Sequence, residues 1–279
     1  MSRTKLVLRE SLKHDTLSAL GLFQGSNGRR THDVTVCIAA RAGPNLIGAS
    51  DRMLSSSDIQ FEPPISSKTA PLTNSIAVMQ AGDAAFHAEI VGEVAPIVLD
   101  RVQKDPGNWW VVKDVAELYV SHRNEIKRKR AESALLTPLG LTSDSFRRLQ
   151  KELNDGVAEQ LTRDLINYQV PHVSVLVVGI DPQGPHIYVV DDDEIRCNDF
   201  IGFAAIGIGT RHAGSQFMLG RHSWNSPVVD TALLTYIAKK RSEIAPGVGE
   251  GTDMFTIGPS LGSLSTLTPE MIDGFGPGL

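Results

Sequence analysis

From Val34 the chain reads VTVCIAARAGPNLIGASD, passes through a polar loop holding Pro63 and Pro64, and resumes with SIAVMQAG up to Gly82. Two apolar runs on either side of Gly43-Pro44 read as a β-hairpin. Strand alternation places Val36 and Ile38 on one face of the first arm, and Thr35 and Cys37 on the other. The second arm ends at Asp51. The third run ends at Gly82, where a helical pattern starts. Such a chain must stack sheets and helices face to face, because each arm has an apolar face to bury.

The remaining patterns extend this alternation of strand pairs and helix pairs. Phe86, Ile90, Val94 and Val98 share one helical face, with Pro96 a kink point. Val111, Val115, Leu118, Tyr119, His122 and Ile126 repeat the period in a second helix. Its end, Lys127 to Arg130, reads as a solvated helix C-terminus, since no aromatic platform accompanies the charges. Residues 131–169 read as a helical insertion, with Ser143 or Asp144 as cap and Phe146, Leu149, Leu153, Val157, Leu161 and Leu165 on one stripe. VSVLVVGI and HIYVV flank the turn Asp181 to Pro185 as an antiparallel pair, and Asp191-Asp192-Asp193 reads as a polar turn. A strand, a glycine-rich bend at Gly207 and Gly209, a helix start, a last helix in PVVDTALLTYIAKKRSEI and a closing strand follow. From residue 261 the chain reads as a flexible tail.

Of 279 residues, 41% are hydrophobic and 21% charged, which fits one domain with an insertion. The net charge of −5 speaks against nucleic acid or an anionic membrane as partner. Two cysteines near strands, Cys37 and Cys197, fit a reducing, cytoplasmic setting. No apolar run is long enough to span a bilayer, and no zinc spacing occurs, so no cofactor or metal is called for. Gly258-Pro259-Ser260-Leu261-Gly262 fits G-x-S-x-G, but no histidine follows His222, as a hydrolase triad of that type requires.

Thr35, the context Ala49-Ser50-Asp51-Arg52 sixteen residues later, Lys68, and Gly82 fourteen residues after that resemble the catalytic edge of proteasome β-type subunits. These are threonine members of the N-terminal-nucleophile hydrolases. The gap from Asp51 to Lys68 is one residue longer than in the family, as a loop insertion would make it. The pair VSVLVVGIDPQGP and HIYVV resembles the family's central hairpin. The resemblance covers about residues 34–258 and leaves 131–169 outside. It implies an α+β fold, a four-layer αββα sandwich with two antiparallel sheets face to face.

The resemblance implies a threonine-type peptidase with Thr35 as nucleophile. A threonine hydroxyl needs a base, and a freed α-amine, with a pKa of about 7.7–8.0, can serve. A lysine cation favours the neutral amine and steadies charge on the oxygen, an aspartate holds the lysine, and Gly82 N–H faces the oxyanion. By the same analogy Gln80 lies in the pocket for the substrate residue before the scissile bond, with Leu54 and Ser55 nearby. Self-association into a closed ring, an ATPase partner and a peptide or unfolded-protein substrate are implied as well.

Residues 1–33 are read as an extension, either a propeptide or sequence upstream of a true start at Val34, since GTG, one of the codons for valine, can initiate a bacterial chain. Besides the longer gap before Lys68, the chain departs from the family at three places. Val34 stands before the threonine where glycine is usual, Ile208 stands where the glycine-rich bend carries serine, and Val248-Gly249-Glu250-Gly251 lacks the supporting Asp–Ser pair. Two other readings therefore stay open: a non-catalytic, self-assembling scaffold subunit, and a non-proteolytic amidohydrolase of the same superfamily.

Overall fold

The computed structural model describes residues 35–55, 60–63, 68–149, 152 and 154–276. The extension at 1–33, Val34, Leu153 and the side chain of Ser55 lie outside the described residues. The described chain is mixed α+β, with two five-stranded antiparallel sheets and seven α-helices.

The hairpin expected around Gly43 is β1 (Cys37–Ala42) and β2 (Asn45–Asp51), registered from Cys37↔Ser50 to Ala42↔Asn45. Gly43 turns the corner at φ 59°, a conformation glycine adopts without steric cost. β10 (Phe203–Ile206) pairs with β1, and β11 (Thr252–Ile257) pairs with β2 and with β12 (Ser265–Thr266). The second sheet runs in the order β5 (Thr69–Pro71), β6 (Ile76–Gly82), β7 (Val173–Asp181), β8 (Gly184–Asp191), β9 (Glu194–Cys197). A separate two-stranded pair, β3 (Leu54–Ser55) and β4 (Gln60–Phe61), follows β2.

Alternation along the strands decides what each face meets. Cys37, Ala39 and Leu46 from the first sheet join Ala77, Met79, Leu176 and Val178 from the second in one apolar cluster. The opposite face of the second sheet, Ile76, Val78, Val175 and Val177, packs on α1 (Ala84–Lys104) and α2 (Val112–Ala131) through Phe86, Ile90, Val94, Val115 and Tyr119. The opposite face of the first sheet, Val36, Ile38 and Ala40, meets α5 (Thr210–Leu219) and α6 (Val228–Ser242) through Ala213, Phe217 and Ala238. α1 begins at its cap Asp83, which accepts from Phe86 N–H, and continues through Pro96. At the end of α2, Lys129 and Arg130 pair with Glu125 and Glu89.

Two expectations need correction. The stripe drawn through 146–165 is two helices, α3 (Ser143–Leu149) and α4 (Asp155–Asn167). Asn154 caps the second by accepting from Gly156 N–H at 3.0 Å, which sets a new helix axis. Phe146, Leu161 and Leu136 form a small apolar cluster, while Leu149 and Val157 face solvent. The segment from 261 is not a loose tail either. β12 closes on β11, and α7 (Pro269–Asp273) starts at Thr268, whose hydroxyl accepts from Met271 N–H. Ile272 and Phe275 then pack with Ile47, Ala49, Ala232 and Tyr236. Leaving Ile272 and Phe275 in water would have been the costlier course.

Candidate active site at the head of the first strand

Thr35 enters β1, Asp51 ends β2 and Lys68 enters β5, so the two sheets bring all three together where their strand ends converge. All three are buried. Thr35 Oγ1 donates to Asp51 Oδ1 and accepts from Lys68 Nζ. Lys68 Nζ also lies 3.0 and 3.1 Å from the two Asp51 oxygens. Three backbone N–H groups complete the carboxylate's shell: Val36 at 2.9 Å, Met53 at 3.0 Å and Gly249 at 3.1 Å. An ionised carboxylate taken out of water needs such a set of donors.

The Thr35 carbonyl is fixed from the bend after β10, where Gly209 N–H donates to it at 3.3 Å. Gly207, at φ 87°, comes so close that a Cβ there would stand 2.4 Å from the Thr35 oxygen. Ile208, between them, turns its side chain into the cluster of Val36, Ile38 and Phe217. Thr210 does not replace the family's serine, because its hydroxyl donates to Gly207 O at 2.5 Å.

Gln80 N–H donates to Lys68 O at 3.0 Å, tying β6 to the lysine. The Gln80 side-chain oxygen is buried and has no hydrogen-bond partner among the described residues. Leu54 is half-buried in β3 opposite Phe61, and Ser55 pairs with Gln60 through its backbone. Gly82 ends β6 opposite Val173 at φ 118°, a conformation that favours glycine. Cys37 lies beside this centre and donates to Gln80 O at 3.3 Å. Burial pushes its thiol up to about 12, which leaves it no nucleophile near neutral pH.

Lys239, on α6, went unnoticed in the sequence. It is 0% exposed, and its ammonium donates to Gly249 O and Glu250 O at 2.8 Å and to Glu243 Oε1 at 2.6 Å. Glu62, after β4, was also missed; it accepts from Gly251 N–H at 2.7 Å. Asp253 pairs with Arg52 at 2.7 Å and does not reach Thr35 through any hydrogen bond found among the described residues. The Asp192 and Asp193 carboxylates hold the Arg123 guanidinium of α2, and among the described residues no group of three His, Cys, Asp or Glu is arranged around a metal position.

The Thr35 oxygen is thus set between a cation and an anion, beneath strands that fix its backbone. That arrangement can orient a hydroxyl for attack and hold charge that builds on it. No known protein family's profile matches the chain, and no curated protein matches it. Among the described residues no helix is long and apolar enough to cross a membrane.

Proposed function

We propose that the chain is a proteasome-like threonine peptidase built on a four-layer αββα sandwich. The contact that carries this reading is the Thr35 hydroxyl hydrogen-bonded at once to Lys68 and Asp51. The layering is supported by the order of the apolar clusters: α1 and α2, the second sheet, the first sheet, then α5 and α6.

The reaction follows from the residues. With its amine free, Thr35 passes the hydroxyl proton to that amine as Oγ1 bonds to the substrate carbonyl carbon. Lys68 lowers the energy of the developing charge, and Asp51 keeps Lys68 against the oxygen. The oxyanion takes a hydrogen bond from Gly82 N–H. The C–N bond then breaks, the leaving amine takes the proton from the Thr35 amine, and water hydrolyses the ester to restore the hydroxyl. Gln80, whose amide oxygen has no hydrogen-bond partner among the described residues, would touch the substrate residue before the scissile bond, with Leu54 and Ser55 beside it. Copies of the chain enclosing the site in a ring would restrict it to unfolded peptide.

Intact mass and N-terminal sequencing of the protein from its host test the reading. A chain starting at Thr35 that cleaves unfolded protein, with Thr35→Ala inactive, upholds it. A chain that keeps residues upstream of Thr35 has no amine to act as base, and that result sinks it. Turnover of small amides with unfolded protein untouched would select an amidohydrolase instead. A non-catalytic scaffold subunit is favoured by one observation, the apolar burial of Ile208 where the family has a supporting hydroxyl.

A further inference from the structure

The loop 247–251 holds three glycines in five residues, at positions 247, 249 and 251, and lies between α6 and β11. Glycine-rich chain loses the most conformational freedom on being fixed. Yet one atom of this loop, the Gly249 N–H, completes the shell of Asp51 from 198 residues away in sequence.

Three contacts fix the loop. Asp51 accepts from Gly249 N–H at 3.1 Å and Glu62 accepts from Gly251 N–H at 2.7 Å. The third is Lys239, whose ammonium bridges the carbonyls of Gly249 and Glu250. Gly249 also fits too tightly to bear a side chain, since a Cβ would stand 2.3 Å from Glu62 Oε1 and 2.9 Å from Met53 Cβ.

A buried ammonium is expensive to desolvate, and an apolar side chain of similar volume usually serves stability as well or better. The rest of this α6 face is small, with Thr231, Thr235, Ala238 and Ser242 buried beside Lys239. What the charge supplies is a single donor centre that can pull two successive carbonyls to one point. Four residues after Lys239's own neighbour Ala238, Ser242 donates to Gly209 O at 3.2 Å, and Gly209 N–H holds the Thr35 carbonyl. One helix face thus reaches Asp51 through Lys239 and Thr35 through Ser242.

We propose that Lys239 is a positioning residue for the Thr35 site: its ammonium fixes the Gly249–Glu250 turn so that the Gly249 N–H stays on Asp51. The proposal rests on reading Thr35 as the nucleophile, and it supplies from α6 the support that the missing Asp–Ser pair gives elsewhere. Asp51 with one donor fewer on Oδ2 can rotate, and both Lys68 and the Thr35 hydroxyl follow its position. Misplacement of reacting groups by about 1 Å can cost roughly a hundredfold in rate.

Two measurements on the protein as isolated from its host test this, using Lys239→Met, which keeps volume and removes the ammonium. The first is covalent labelling of Thr35 by a β-lactone, followed by intact mass, with Thr35→Ala as blank. The second is hydrogen exchange at the Gly249 amide. Lys239→Met should lower the inactivation rate constant by roughly 10- to 100-fold, leave the half-saturating probe concentration unchanged, and speed Gly249 exchange. Labelling at the wild-type rate with unchanged Gly249 protection overturns the proposal. If the wild type is not labelled, the nucleophile reading fails on its own, and exchange at Gly249 still decides whether Lys239 holds the turn on Asp51. Should Lys239→Met not fold, Glu243→Gln weakens the same clamp from its open side; unchanged Gly249 exchange there overturns the proposal as well.

Discussion

Lys68 Nζ lies 3.0 Å from one oxygen of Asp51 and 3.1 Å from the other, and both side chains are buried. The two halves of this pair are not equally dependent on each other. Asp51 keeps three backbone N–H donors if Lys68 is lost. Among the described residues, Lys68 keeps only the Thr35 hydroxyl as a side-chain hydrogen-bond partner if Asp51 is lost. Asp51→Ala should cost roughly 3–5 kcal/mol, the penalty of a buried charge stripped of its partner. Lys68→Met should cost about 2 kcal/mol, because the carboxylate stays hydrogen-bonded. Urea unfolding of the two variants checks the order, and equal losses would contradict it.

His87 predicts an acid-sensitive fold. It is buried on α1 with Nδ1 3.0 Å from the Tyr119 hydroxyl, and burial lowers its imidazole from 6.5 to about 4. Between those values the unfolded chain binds a proton that the folded chain does not, so stability falls as pH falls. The loss across that window is about 3 kcal/mol. His186 has the opposite sign. Its hydrogen bond to Asp199 raises it, so its contribution is present below 6.5 and fades as pH rises through its folded value. His87→Gln should flatten the acid limb of a urea-midpoint against pH curve and leave the alkaline limb as it is.

Glycine at 207 is required by the site, and glycine at 140 only by its own backbone. Gly207→Ala drives a Cβ against the Thr35 carbonyl, at φ 87°, and should cost well above the roughly 1–3 kcal/mol of strain alone. Gly140, at φ 70°, has nothing within 4 Å of its Cβ position, and Gly140→Ala should cost about 1 kcal/mol. Thermal unfolding gives the comparison, and β-lactone labelling of Thr35 should respond to the first substitution only.

Ile208→Ser introduces the residue type that proteasome β-type subunits carry in such a bend without making a contact to Thr35. The side chain at 208 points into the Val36, Ile38, Phe217 cluster. The variant should lose about 2 kcal/mol from reduced apolar burial and a poorly satisfied hydroxyl. Any gain in the Thr35 labelling rate would show that this orientation is wrong.

The hairpins and the covering helices were legible because their alternation is strong: Val36 and Ile38 do part from Cys37 and Ala39 between two clusters. Thr35, Asp51 and Lys68 were picked out by their resemblance to the proteasome spacing, and the strand ends then bring the three together. Lys239 was not legible. In the run Ala238-Lys239-Lys240-Arg241 it looks like its exposed neighbours, and one step around the helix separates them. A signal existed in Thr231, Thr235, Lys239 and Ser242, a polar row at helical spacing that hydropathy assigns to solvent. Likewise Thr268-Pro269 announces α7 as a capped start with proline at its first position, and the glycines around it masked that. The break at Asn154 depended on a cap competing with a continuous apolar count.

The outermost strands of both sheets are short: β10 and β9 have four residues, β5 three with Pro71 at its end, and β12 two. So little free ladder offers almost nothing for another chain to zip onto. Any association between copies of this protein would therefore rest on side-chain shape, as gears mesh by their teeth, and Phe200, Leu219 and Val229 are among the apolar side chains that stand out furthest. The same shortness guards the chain during synthesis, when a long bare edge would pair with whatever unfinished copy lay nearest.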